Sequence, residues 1–186
     1  MPWHYAITDA LVALMGGFAA WTLVRASRPL AALGMGFFGL AGLIGTLRIT
    51  SGLIEPLAAL HVTASQLGGL AGLTLLVLDM PLPRRHLHSR LRLLLAAAAA
   101  GVAVLSPMAG AAVFVALLCA AILMCLKART MAVAAAHLLM LLNITLVRRS
   151  ADLGPDLSWH LYHLIVAIWL GAMLAAEAPV RRAGLR

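Results

Sequence analysis

Two histidines one helical turn apart, His160 and His163, open the last apolar segment of the chain in the run Ser158-Trp159-His160-Leu161-Tyr162-His163-Leu164-Ile165-Val166. A spacing of three puts both imidazoles on one side of a helix, so a single element offers two nitrogen donors to a metal or cofactor. Polar side chains at membrane depth are costly and are kept where they act. His61 opens another apolar segment. Three imidazoles from two helices suit a tetrahedral zinc ion with a fourth position open to water, whose pKa zinc brings to about 7. Asp9 or Asp156 would then serve as general base or as the acceptor that fixes a histidine tautomer. Arg48 would hold a developing oxyanion or neutralise Asp9.

The elements that must position these groups are apolar helices. The 186 residues are 63% hydrophobic and 11% charged, with a mean hydropathy of +1.02, far from the composition of a soluble domain. The chain reads as an all-α integral membrane protein, a single domain over 1–186. A bilayer core of about 30 Å takes roughly 20 apolar residues per helix. Seven such stretches fall near 6–24, 31–53, 58–79, 91–106, 109–126, 130–147 and 158–177, which predicts a seven-transmembrane-helix bundle. Met1-Pro2-Trp3-His4-Tyr5 lacks the basic leader of a signal peptide, so the first helix is expected to stay. Cys119 and Cys125 are six residues apart in the fifth stretch, about 600° of helix rotation, and read as packing residues.

The formal net charge of +8 is a topology signal and gives no reason to expect a nucleic-acid partner. Of the 14 Lys and Arg residues, Arg25, Arg28, Arg84, Arg85, Arg90, Arg92, Lys127, Arg129, Arg181, Arg182 and Arg186 fall on one side of the predicted topology. Only Arg48, Arg148 and Arg149 fall on the other. The positive-inside rule then puts the amino terminus outside and the carboxyl terminus in the cytoplasm. The expected location is a bacterial inner membrane with the polar site facing the periplasm. The basic stretch Pro83-Arg84-Arg85-His86-Leu87-His88-Ser89-Arg90 reads as a solvated cytoplasmic loop attracted to anionic headgroups.

Membrane helices approach one another through small residues, so glycines mark inward faces. Gly34, Gly36, Gly39, Gly42 and Gly45 run along the second stretch, and Arg48 follows them at a spacing of three. In the third stretch Gly72, Gly68, Ser65 and His61 form one stripe; in the first, Gly16, Ala13 and Asp9; in the last, Gly171, Ala167, His163, His160 and Asp156. All these polar groups, with His4 and Glu55, lie at the external ends of their helices. Glu55, before Pro56, reads as a solvated turn residue. Asn143 and His137 are expected to make interhelical hydrogen bonds, and Asp79 and Glu177 to be interfacial charges.

Seven helices with an external amino terminus, Thr8-Asp9 early in the first and paired histidines opening the seventh resemble the CREST superfamily, which includes alkaline ceramidases and the progestin and adiponectin receptors. The resemblance implies a seven-helix fold with zinc near its amino-terminal side, used to hydrolyse lipid amides. The family's H-x-x-x-H is H-x-x-H here. Its S-x-x-x-H late in the second helix is replaced by Thr46-Leu47-Arg48-Ile49-Thr50-Ser51, which leaves the third ligand to His61. The outer half of the third helix has no aspartate, since Asp79 is at its cytoplasmic end. The resulting expectation is a zinc-dependent hydrolase acting on a membrane lipid amide or ester at the outer face. Three alternatives stand beside it. One is nickel, copper or zinc uptake or sensing, with Pro2-Trp3-His4 placing a histidine third if Met1 is removed. The second is a haem held between His61 and His160 or His163, and the third is a non-catalytic scaffold. No phosphate-binding loop, G-x-S-x-G or H-E-x-x-H is present.

Overall fold

The computed structural model describes residues 2–80, 88–148 and 150–177, with Glu177 described in its backbone alone. Residues 83–87 of the basic loop, Arg149 and the tail with Arg181, Arg182 and Arg186 lie outside the described residues. Within them the chain is helical and has no strand. The helices are α1 (Tyr5–Arg25), α2 (Pro29–Thr50), α3 (Ala58–Asp79), α4 (Ser89–Leu105), α5 (Pro107–Lys127), α6 (Met131–Val147) and α7 (Gly154–Glu177). Five of them, α1, α2, α3, α5 and α7, are long and apolar enough to cross a bilayer, while α4 and α6 are shorter. These apolar helices mark a membrane protein.

The boundaries have local causes. Pro29 and Pro107 begin α2 and α5, where a missing N–H costs nothing. The Ser106 hydroxyl also caps α5 by accepting the Ala109 N–H at 3.3 Å. α1 and α5 end in left-handed residues, Ser27 and Arg129. Each closes with a long-range cap, Arg28 N–H to Leu23 O and Thr130 N–H to Cys125 O, both at 2.9 Å. The next helix can therefore turn back at once.

Each helix packs on the next, and α7 returns to α1, so the order in the chain is the order around the bundle. The most intimate pair is α1 with α2. A Cβ added to Gly16 would lie 2.6 Å from the Gly39 backbone, and one on Gly42 would lie 2.7 Å from the backbone of Asp9 and Ala13. Only glycine admits this approach. The interior is filled by Leu23, Met35, Leu73, Leu118, Met140 and Trp169, all without measurable exposure or nearly so. Leu14, Phe18, Leu94 and Leu123 point outward, as they would toward lipid.

Two helices widen locally into a π-turn, α3 at Ala64–Gly68 and α6 at Asn143–Val147. The extra residue in α3 breaks the expected stripe through Ser65. Ser65 is exposed, and the inward positions run His61, Ala64, Gly68 and Gly72. A turn of more than 3.6 residues shifts the phase between the two halves of the helix. His61 can thus face α1 and α2 while Gly72 still packs on Gly34.

At the end of the bundle opposite the amino terminus, Asp79 is more than an interfacial charge. It accepts from Arg28 Nε at 3.1 Å and Nη2 at 2.9 Å, and from Arg92 Nη1 at 2.5 Å. The ion triad ties the start of α2 to α3 and α4.

Candidate functional site

The first turns of α1, α3 and α7 and the last turns of α2 meet at one end of the bundle, and the candidate polar residues meet with them. Thr8 and Asp9 are both buried on α1, and the Asp9 carboxylate is only 1% exposed. His163 Nε2 lies 2.9 Å from Asp9 Oδ1. His163 is oriented by its own helix, since its Nδ1–H donates to Trp159 O at 2.8 Å. A neutral imidazole whose proton is committed there presents a lone pair at Nε2. An imidazolium would keep that bond and turn an Nε2–H toward the carboxylate oxygen instead.

Asp9 approaches α2 at Gly45, where the absence of a side chain makes room. A Cβ at Gly45 would run into Asp9 Oδ2 and would lie 2.9 Å from His61 Nε2. His61 therefore comes at the same carboxylate from the α3 side, and the charges that reach its imidazole are Asp9, Arg48 and His163. Neither Asp9 oxygen receives an aligned hydrogen bond, although His163 is close to one of them. The short N···O distance and the missing hydrogen bond agree once direction is considered, because proximity off the N–H line makes no bond. A buried carboxylate without an aligned hydrogen bond, approached by two imidazole nitrogens, is a place where a proton on His163 or a metal cation would offset the charge.

His160, expected beside His61 and His163, goes elsewhere. The Thr8 hydroxyl donates to Tyr5 O at 3.3 Å, which leaves its oxygen to accept His160 Nδ1–H at 3.2 Å. His160 Nε2 is then an acceptor, and His4 Nδ1–H donates to it at 2.9 Å. Both nitrogens of His160 are engaged. Asp156 is exposed and accepts from the Tyr5 hydroxyl, while Trp159 Nε1–H donates to Tyr5 O at 3.4 Å. These bonds clasp the start of α1 onto α7.

Arg48 does not pair with Asp9. Its Nε donates to Ile54 O at 2.7 Å, bracing the α2–α3 loop, and its half-buried guanidinium lies near His61. Glu55 is exposed, as a turn residue should be. Asp9, His61 and His163 are thus brought together with Arg48 beside them, whereas His160 and Asp156 join a separate network. The sequence reading missed Tyr5 and the room made by Gly45, although Tyr5 is four residues before Asp9 and shares its helix face.

The chain matches no protein-family model, no curated protein and no solved structure. The chemistry of the site rests on its geometry alone.

Two imidazole nitrogens and a carboxylate are a common donor set for zinc and other divalent transition ions. Among the described residues no three His, Cys, Asp or Glu side chains enclose a metal position, so the fit is one of donor type. The buried, undonated Asp9 is the feature a cation would satisfy. His160, with both nitrogens occupied, does not fit as a ligand.

Proposed function

We propose that this chain is a seven-span membrane hydrolase, amino terminus outside and carboxyl terminus in the cytoplasm. It cleaves a lipid amide or ester at the outer face of a bacterial inner membrane, with zinc held by Asp9, His61 and His163. The observation that carries the reading is the buried Asp9 carboxylate, without an aligned hydrogen bond and approached by Nε2 of two histidines. Zinc at this point would supply a Lewis acid for the carbonyl and an activated water.

The residues of the chain do the rest. Trp159 O holds His163 in the tautomer that keeps Nε2 free. Arg48, clamped through Nε, keeps its terminal nitrogens for the oxyanion that develops on the cleaved carbonyl. His4 and His160 share a proton across 2.9 Å at the rim, where they can deliver it to a leaving group. A lipid substrate suits the surroundings. A groove of about 420 Å³ between α1 and α7 is lined by Leu11, Leu14, Phe18, Leu164 and Ile168 and starts one turn beyond Thr8 and His160. An acyl chain lying in it would put its polar linkage at the level of the site.

The test is zinc content and turnover of detergent-purified protein on a set of lipid amides and esters. About one zinc per chain is expected, lost with turnover in Asp9→Asn and His163→Ala, while His160→Ala keeps the metal and loses rate. Failure of the unaltered chain to bind zinc, or retention of zinc by Asp9→Asn, overturns the reading. Reporter fusions at Arg186 should mark the cytoplasmic side.

A further inference from the structure

Beyond the Asp9 cluster, the interior of the bundle holds further polar atoms without partners. His137 on α6 has no exposure; its Nδ1–H donates to Val133 O of its own helix at 2.9 Å, and Nε2 has no partner. The interhelical bond expected of it is absent. Trp169 on α7 is equally buried, and its indole Nε1–H is also unpartnered. The two rings meet edge to face with centroids 6.0 Å apart. Asn143 is fully buried as well. Its Nδ2 donates to Tyr162 O at 2.9 Å, and its Oδ1 has no donor.

These orphans are complementary. With its proton at Nδ1, neutral His137 offers a lone pair at Nε2, and Trp169 offers a proton. Water can accept from the indole and donate to the imidazole, and a second donor from water suits Asn143 Oδ1. In an apolar interior leaving such a group unpaired costs more than immobilising a water beside it. A dry core would have to bear that cost three times over.

The placement supplies a direction. α6 and α7 pack against each other, with Asn143 opposite Tyr162 and His137 opposite Trp169. Asn143 is six residues from His137, about 9 Å along a helix, and Met140 between them is buried as well. Tyr162 adjoins His163 and so the Asp9 site. The π-turn of α6 begins at Asn143, where the backbone is widened.

We infer that water is bound between His137 Nε2 and Trp169 Nε1–H, and that it reaches this pair from the Asp9 end of the bundle past Asn143. The seam between α6 and α7 is then hydrated, and His137 is a proton acceptor in contact with the same water as the site. The inference does not depend on zinc or on hydrolysis.

The chain has four tryptophans, so indole protons of ¹⁵N-Trp,¹⁵N-Leu protein can be followed singly by NMR in lipid nanodiscs transferred to D₂O, with Trp169→Phe as the assignment. The Trp169 indole proton should exchange at least tenfold faster than the backbone amide of buried Leu170, and Asn143→Leu should slow it at least tenfold. Exchange of the indole together with the Leu170 amide would mean a dry core opened only by unfolding, and would overturn the inference. Rapid exchange unchanged by Asn143→Leu would overturn the route past Asn143. If that variant does not fold, a water cross-peak to the His137 imidazole in the unaltered chain decides the matter, and its absence counts against bound water.

Discussion

Asp9 organises the candidate site through what it lacks. A carboxylate 1% exposed, with two histidine nitrogens beside it and no aligned hydrogen bond, is the feature on which the proposed zinc site rests. The room for it comes from Gly45, whose hydrogen is the only substituent that α2 can present there. Gly45→Ala should push Asp9 and His61 apart and reduce zinc affinity at least tenfold. An added methyl in a helix costs little by itself, so thermal unfolding of the zinc-free protein should change by no more than a few degrees. Elemental analysis and an unfolding scan separate the two effects. Equal metal content in Gly45→Ala and the parent would show that the crowding seen at this position is relieved without consequence.

The helices set how precisely the site is held, and α1 with α2 carries most of it because Asp9 and Gly45 lie on that contact. Gly39 faces only backbone at close range, Gly17 N at 2.9 Å and Gly16 C at 3.1 Å, which cannot rotate away. Gly39→Ala should destabilise the fold by about 1–3 kcal/mol, as overpacking does. Gly17 has nothing within 4 Å of a built Cβ. Gly17→Ala should therefore stabilise by about 0.5–1 kcal/mol through helix propensity alone. The same substitution at two nearby glycines is thus expected to act with opposite sign, and denaturant or thermal unfolding in one detergent measures both. Stabilisation by both would mean that the α1–α2 contact is looser than the glycine packing requires.

Across the whole molecule the two ends are built differently. The amino-terminal end gathers histidines and carboxylates around an Asp9 that makes no aligned hydrogen bond, while the far end is locked by Arg28, Arg92 and Asp79 in an ion triad. Asp79→Asn removes the carboxylate charge that Arg28 and Arg92 share. It should cost about 1–3 kcal/mol, less than a fully buried pair because the arginines keep some solvent. Zinc binding measured by titration should be unchanged, because the triad lies at the opposite end. A variant as stable as the parent would reduce the triad to a surface pair.

Apolar stretches bounded by charge, proline or glycine were enough to place the helices, five of which are long and apolar enough to cross a bilayer. The gathering of Asp9, His61, Arg48 and His163 at one end was also legible, from glycine stripes and from alternating chain direction. Three things were not. His160 shares a helix face with His163 yet turns to His4 and Thr8, because hydrogen-bond partners on α1 decide which way a ring points. Ser65 left its stripe because a π-turn changes helix phase and has no signature in residue type. The close approach at Gly45, where two helices deliver Asp9 and His61 to one point, exists only once α1, α2 and α3 are packed. Periodicity along a chain specifies which residues face inward, but the separations between side chains on different helices depend on crossing geometry, which no single helix contains.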